Sequence, residues 1–309
     1  FDYYNPVQIL EQNYNEGQRR NINMSIKGAY DITKDLTVDA FYSVQSMDNM
    51  GGQYRDKNSY WVGRDHNGLA RLESNSEYNQ LFESTIHWNE KIGTANLTLL
   101  GGYSFQEFFW EGFHAEGGDF ITDAFKYNNL SAALDFNNGL GDVQSYKNSA
   151  KLIAFFGRVN LNVSQAWFVT ASARYEGSSR FGDGNKWGLF PAIGGGVELT
   201  NFFDAASIDN LKLRVSYGIT GNQPSDSYLS ILRLGPEGNF FYNGEFVPGY
   251  APVSNANENL GWEKKGEIDV GLDFSMFDGT LFGALDFYTR TTTDLLFEYT
   301  VPVPPNLYN

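Results

Sequence analysis

From Leu211 to Thr220 every second residue is apolar. Leu211, Leu213, Val215, Tyr217 and Ile219 fall on one side of an extended chain, and Lys212, Arg214, Ser216, Gly218 and Thr220 on the other. Successive side chains of a strand point to opposite faces, so a period of two predicts a β-strand with one greasy and one wet side. The pattern recurs along the chain. Ile22 to Tyr30 and Leu36 to Val44 form a hairpin about the turn Thr33 to Asp35, and Tyr78, Phe82, Ile86 and Trp88 lead through Glu90 to Gly93 into Leu97, Leu99, Tyr103 and Phe105. Ile153 to Leu161, Trp167 to Tyr175, Trp187 to Glu198, Ile268 to Met276 and Leu281 to Phe287 complete about ten strands of roughly ten to thirteen residues, against the five or six usual in soluble sheets.

The connections are as informative as the strands. Those after odd-numbered strands are short; the long ones, 47–77, 108–146 and 221–265, follow even-numbered strands and are rich in Gly, Asn and Asp. A short helix near Ile121 to Tyr127 is expected inside the second, and Asn5 to Asn15 is either a short helix entered at Pro6 or an irregular lead-in. Long loops gathered at one sheet end and tight turns at the other are the plan of an outer-membrane barrel. The expected fold is therefore all-β: residues 1–309 form part of one antiparallel, up-and-down transmembrane β-barrel wall, with the three long loops external. In a wide barrel Asp39, Glu83, Asp269, Asp273 and Asp286 face water and need no dry core. Two sheets burying the same apolar faces against each other as a soluble sandwich remain the alternative.

Composition narrows the function. The chain has 309 residues, net charge −15 and no cysteine, so a disulfide framework or a thiolate metal site is excluded. Nucleic acid would need Lys/Arg stripes that such an acidic chain lacks, and an anionic inner-leaflet surface would repel it. No run approaches the roughly 18 apolar residues of a helical span, the densest clump being Leu152 to Phe156, but a barrel strand needs no such run. A start at Phe1 and a stop beyond Pro302, Pro304 and Pro305 suggest an internal piece of a longer protein.

Nothing in the sequence is arranged for catalysis or for a cofactor. His66, His87 and His114 have no i, i+4 partner on a helix; His114, Glu116 and Asp119 read as a solvated cluster before they read as a metal site, and Asp183 with Asn185 as turn chemistry before calcium. Aromatic residues of the long loops are the candidates for contact with a ligand or a partner protein: Tyr60, Trp61, Phe108, Phe109, Trp110, Phe240, Phe241 and Tyr242. Packing of loop against loop explains them equally well. Trp88, Trp167 and Trp187, near strand ends, fit a girdle at the membrane rim.

Three stretches carry a resemblance: RYEGSSRFGDGNKWGLFPAIGGGVEL, LKLRVSYGITGNQ and NENLGWEKKGEIDVGLDFSMFDGTLFGALDFYTRTTTDLLF. They resemble, in order, the barrel of the SusC/RagA-like TonB-dependent outer-membrane transporters of Bacteroidetes, over about residues 147 to 297 and thinly before. The matching positions are Arg174, Gly177, Ser178, Ser179, Arg180, Phe181, Gly182, Trp187, Gly188, Phe190, Pro191, Tyr217, Gly218, Gly221, Asn222, Gln223, Trp262 and Glu263, read as structural. The resemblance implies an arc of a plugged barrel of about 22 strands. It also implies an importer of nutrient oligomers, glycans or peptides, lidded by a SusD-like surface lipoprotein and driven by the TonB complex through a plug and a contacting segment absent from this chain. A non-transporting porin or scaffold barrel and a soluble carbohydrate-binding β-protein are the competing functions.

Overall fold

The computed structural model describes residues 5–60, 62–203 and 207–308. A short helix α1 (Pro6–Gln12), capped by Asn5 accepting from the Val7 amide at 3.1 Å, leads into the strands. In chain order these are β1 (Asn13–Asp31), β2 (Leu36–Arg55), β3 (Leu69–Ile92), β4 (Ala95–Gly118), β5 (Asp142–Val163), β6 (Trp167–Ser178), β7 (Trp187–Glu198), β8 (Ile208–Asn222), β9 (Leu234–Tyr242), β10 (Glu245–Pro252), β11 (Glu263–Met276) and β12 (Leu281–Thr293). Ten form one sheet in the order β1 to β8, then β11 and β12; β9 and β10 pair apart as a two-stranded hairpin. Two further single-turn helices, α2 (Val62–Asp65) and α3 (Leu134–Asn137), lie in connections.

The up-and-down order and the short turns follow the alternation, but the strand lengths exceed it. β2 to β5 run 20 to 24 residues. Where the expected loops 47–77 and 108–146 begin, Gln45 to Arg55 and Glu107 to Gly118 are still strand, so the irregular connections shrink to 56–68 and 119–141. There both faces of the strand carry polar residues and the period-two signal fades, although the backbone ladder continues. The segment 221–265 is likewise no plain loop, since it holds the hairpin β9–β10. The helix expected over 121–127 is absent; 3-10 turns at Lys126–Asn128 and Leu130–Ala132 precede α3 instead.

The chain divides into two compact units. One comprises Phe1–Ile26, Ser43–Gln80 and Glu107–Ser149. Its core is Tyr54, Ala70, Phe120 and Ala133, with Tyr14, Tyr127 and Phe136 packed against them. The Tyr54 hydroxyl, buried on an edge-on contact with Phe120, donates to Asp123 at 2.6 Å, which ties the connection 119–141 to the strands.

The other unit comprises Lys27–Tyr42, Leu81–Gln106 and Ala150–Asn309. Its antiparallel register keeps the two faces apart across five strands. Ala171 opposes Ile193, Ile193 opposes Tyr217, Val215 opposes Val270 and Val270 opposes Phe287, while Thr170 opposes Gly194, Gly194 opposes Ser216 and Ser216 opposes Asp269. Leu213, Val215 and Val270 remain 42%, 53% and 41% exposed, and among the described residues no second layer covers them. A sandwich would bury this apolar face; here it is open, as a surface solvated by lipid must be. The tight turns are built for strand reversal: Ser164 and Gln165 both take positive φ (54° and 56°), the backbone twist that joins two right-twisted strands.

The two faces make opposite predictions. In the folded protein in bilayers, Val215→Arg should cost about 2–4 kcal/mol and lower the folded fraction on unfolding titration, whereas Ser216→Arg next to it should cost less than about 1 kcal/mol.

Candidate functional site: an aromatic latch, a polar inner face and two aromatic surfaces

The resemblance-bearing positions converge on one structural device. Between β6 and β7 the chain makes the loop 179–186, and between β8 and β11 it makes the segment 223–262. Phe181, Phe190 and Trp262 form a buried cluster there, with ring centroids of 4.8 Å (Phe181 to Trp262) and 5.2 Å (Phe190 to Trp262). The Trp262 indole donates to the Lys186 carbonyl at 3.0 Å, and Ser178 donates to the Gln223 side chain at 2.6 Å. The Arg180 guanidinium, nearly buried, donates to the Pro224 carbonyl; burial pushes its pKa down, against the pull of Asp226. Gly221 and Gly182 are required by close approach, since a Cβ at the first would enter the Phe190 ring and at the second the Glu258 backbone.

The remaining signature residues serve the same joints. The Ser179 hydroxyl accepts from the Lys151 amide at 2.9 Å, and the Glu263 carboxylate accepts from the Leu296 amide at 2.9 Å and from Asn222 at 3.4 Å. Arg174 forks onto Glu176 at 2.8 and 2.9 Å and reaches Ser104 at 3.3 Å. Trp187 stacks on Tyr175 (4.7 Å, 16°) over Gly177, on the apolar face with Pro191 and Tyr217. Gly188 and Gly218 lie on the polar face.

That polar face carries charge in compensated groups. Arg214 is bidentate to Asp273 (2.7 and 2.9 Å) and also holds Asp286 at 2.9 Å, one fork joining three neighbouring strands. Asp39 accepts from Thr85 at 2.6 Å and stands 3.1 Å from both Lys27 and His87. Sequence reasoning placed these carboxylates on the wet side but could not pair them, because the partners are 59 and 72 residues apart for Arg214.

The candidate contact aromatics separate into two sets. Phe108, Phe109 and Trp110 are strand residues of β4, not loop residues. Phe108 and Trp110 share a face and stack in parallel (5.6 Å, 4°), while Phe109 lies on the other face under the Lys147 ammonium at 4.9 Å. In the same unit Tyr146 donates to Asn75 at 3.0 Å, beside Gly112 of β4, and this tyrosine has no counterpart in the sequence reading. Tyr60 faces the Arg64 guanidinium at 5.5 Å; Trp61 lies outside the described residues. Phe240, Phe241 and Tyr242 are on the hairpin, 54%, 64% and 67% exposed, and Phe241 meets Phe246 of β10 edge-on at 5.2 Å.

The supposed metal candidates disperse. His114 binds Asp142 at 2.9 Å, Glu116 faces Arg71 at 3.6 Å, and Asp119 accepts from Asn67 at 2.7 Å. Asp183 pairs with Lys186 at 2.5 Å within the loop 179–186, which holds its carboxyl below the usual range.

The family described as TonB dependent receptor-like, beta-barrel, matches residues 1–309, and the chain belongs to it. Members of this family are outer-membrane β-barrel proteins. Among relatives, the chain is 32% identical to TonB-dependent receptor P3 of Formosa agariphila over 97% of its own length and 30% of the relative's. It is 27% identical to TonB-dependent receptor SusC of Bacteroides thetaiotaomicron over 98% of its length and 30% of that protein's. It thus spans about a third of these curated relatives. The structure of the RagAB peptide transporter shares the fold, with a TM-score of 0.86 at 24% identity over 96% of this chain and 33% of that one.

Removing the indole tests the latch. Trp262→Ala should cost about 3–5 kcal/mol of local stability and make segment 223–262 at least about tenfold more susceptible to protease in the folded barrel, while the strands stay protected.

Proposed function

We propose that the chain is the wall and outer loops of a SusC-like importer, carrying nutrient oligomers, glycans or peptides, across the outer membrane. Its apolar face meets lipid and its polar face lines the lumen of a plugged barrel of about 22 strands. The observation that carries this reading is the family match over every residue, combined with a sheet whose apolar side is exposed and whose polar side is ion-paired. A peptide cargo finds support in the RagAB likeness, and a glycan cargo in the stacked Phe108–Trp110 surface, which suits sugar rings as well as side chains. The connections 56–68, 119–141 and 223–262 are the external ones. No covalent step falls to these residues; the work is binding, passage and release.

A SusD-like surface lipoprotein is the partner at the outer end. The hairpin β9–β10 is its natural contact, because an isolated two-stranded ribbon is marginal in water and this one shows aromatics on both faces. Energy comes from the TonB complex through a segment outside this chain.

Two experiments bear on the reading. Replacing Leu234–Pro252 by a short Gly/Ser linker should abolish co-purification of the lipoprotein while leaving the barrel folded; unchanged recovery removes the hairpin from the interface. Phe108→Ala with Trp110→Ala should weaken binding of the imported oligomer about tenfold or more, an aromatic contact being worth over about 1 kcal/mol where it anchors a ligand, and uptake should require the proton-motive force. Uptake that persists without it would favour a passive pore.

A further inference from the structure

The hairpin β9–β10 pairs apart from the ten-stranded sheet, and its register sorts its rings onto two faces. Phe241 lies directly opposite Phe246 and the two meet edge-on, so both belong to one face. Phe240 and Tyr242, each one residue away, point to the other, where their ring centroids are 6.4 Å apart and Val247 stands across from Phe240. Both faces are bare. Phe246 is 73% exposed, more than any of the three rings of β9.

The ribbon is built to hold its shape. Asn243 and Gly244 take positive φ (50° and 91°), the mirror-image turn that suits the twist of two paired strands. At the other end the stem is pinned: the Val253 amide donates to the Arg233 carbonyl at 2.9 Å, and Arg233 donates from its amide and its guanidinium to the buried Ser254 hydroxyl at 3.1 and 3.2 Å. Asn255 then accepts from the amides of Leu307 and Tyr308, both at 3.0 Å. The edges do not invite a further strand, since Pro236 interrupts the donors of β9 and Pro248 those of β10. What remains for a partner is the pair of faces.

Area decides between covering one face and covering two. A Phe or Tyr ring at these exposures has about 150 Å² left to bury, so Phe241 with Phe246, or Phe240 with Tyr242, supplies only about 300 Å² of the roughly 800 Å² that each side of a stable interface buries. All five rings of the hairpin, Tyr250 included at 72% exposed, come to about 750 Å². We propose that the hairpin enters a cleft of the SusD-like lipoprotein as a tongue, with apolar walls against both of its aromatic faces. The inference rests on the partner reading given above and deepens it, because a flat patch on the lid would cover one face and leave the other in water. A ribbon lying on lipid would likewise have one wet face, and polar residues there instead of rings.

The test uses the full-length protein in cells that also make the lipoprotein, with Phe241 and Tyr242 replaced one at a time by photoreactive benzoylphenylalanine. These neighbours point to opposite faces. Illumination should attach the lipoprotein at both positions, with yields within about threefold of each other, and at two different segments of its chain. Attachment at one position at least about tenfold above the other overturns the proposal, as does attachment of both to one short segment, or of either to lipid or to the barrel's own loops in place of the lipoprotein. Paired substitutions give a second readout: Phe241→Ser with Phe246→Ser, and Phe240→Ser with Tyr242→Ser, should each lower recovery of the lipoprotein with the barrel about tenfold or more, and a loss from only one pair overturns the proposal too. The photoreactive ring keeps an aromatic at each site, so the crosslinking result stands even where serine unfolds the hairpin. One-sided attachment strikes the tongue and spares the hairpin as a flat contact. Attachment at neither position, with the lipoprotein still recovered, strikes both the tongue and the hairpin's place in the interface.

Discussion

The structure depends on one constraint: a β-ladder satisfies its backbone sideways and leaves its two faces free to meet different solvents. In hydrocarbon an unpaired amide costs several kcal/mol, so a lipid-facing sheet has to give every N–H and C=O a neighbour strand before any side chain matters. Once the ladder is made, period-two alternation sorts the residues. Across β6, β7, β8, β11 and β12 the register carries the sorting through, with an irregularity at Ser275/Met276 at the end of β11: Ile193, Tyr217, Val215, Val270 and Phe287 keep to one side and Gly194, Ser216 and Asp269 to the other. A shift of one residue in β8 or β11 would put Lys212 or Asp273 into the apolar face, so register is strongly specified there.

The polar face obeys a second rule, that charge near a low-dielectric wall is kept by pairing. Arg214 holds two carboxylates on β11 and β12 because its planar fork serves both, and Asp39 is shared among a hydroxyl, an ammonium and an imidazole.

The latch links this wall to its outer segments. Phe181, Phe190 and Trp262 come from a loop, a strand and the end of the longest connection; the glycines at 188 and 221 let those rings approach backbone, and Gly182 admits the Glu258 backbone. The same segments that carry the family likeness therefore fasten loops to the strands. On the function proposed above, cargo and partner contact is left to surfaces with freer side chains, the hairpin β9–β10 above all.

The sequence by itself determined the class of fold, the faces of each strand and the tight turns, because these depend on residues two apart or adjacent. Residues such as Val215 and Ser216 declare their sides with no tertiary information. It misjudged Phe108 to Trp110 and the reach of β2 to β5, since a strand that mixes apolar and polar residues on both faces has no period to read. Only the tertiary structure decided which distant groups meet: Trp262 with Phe181, Arg214 with Asp273 and Asp286, Tyr54 with Asp123. Such contacts arise where strands far apart in the chain become neighbours, and pairing of that kind leaves no local pattern in the order of residues.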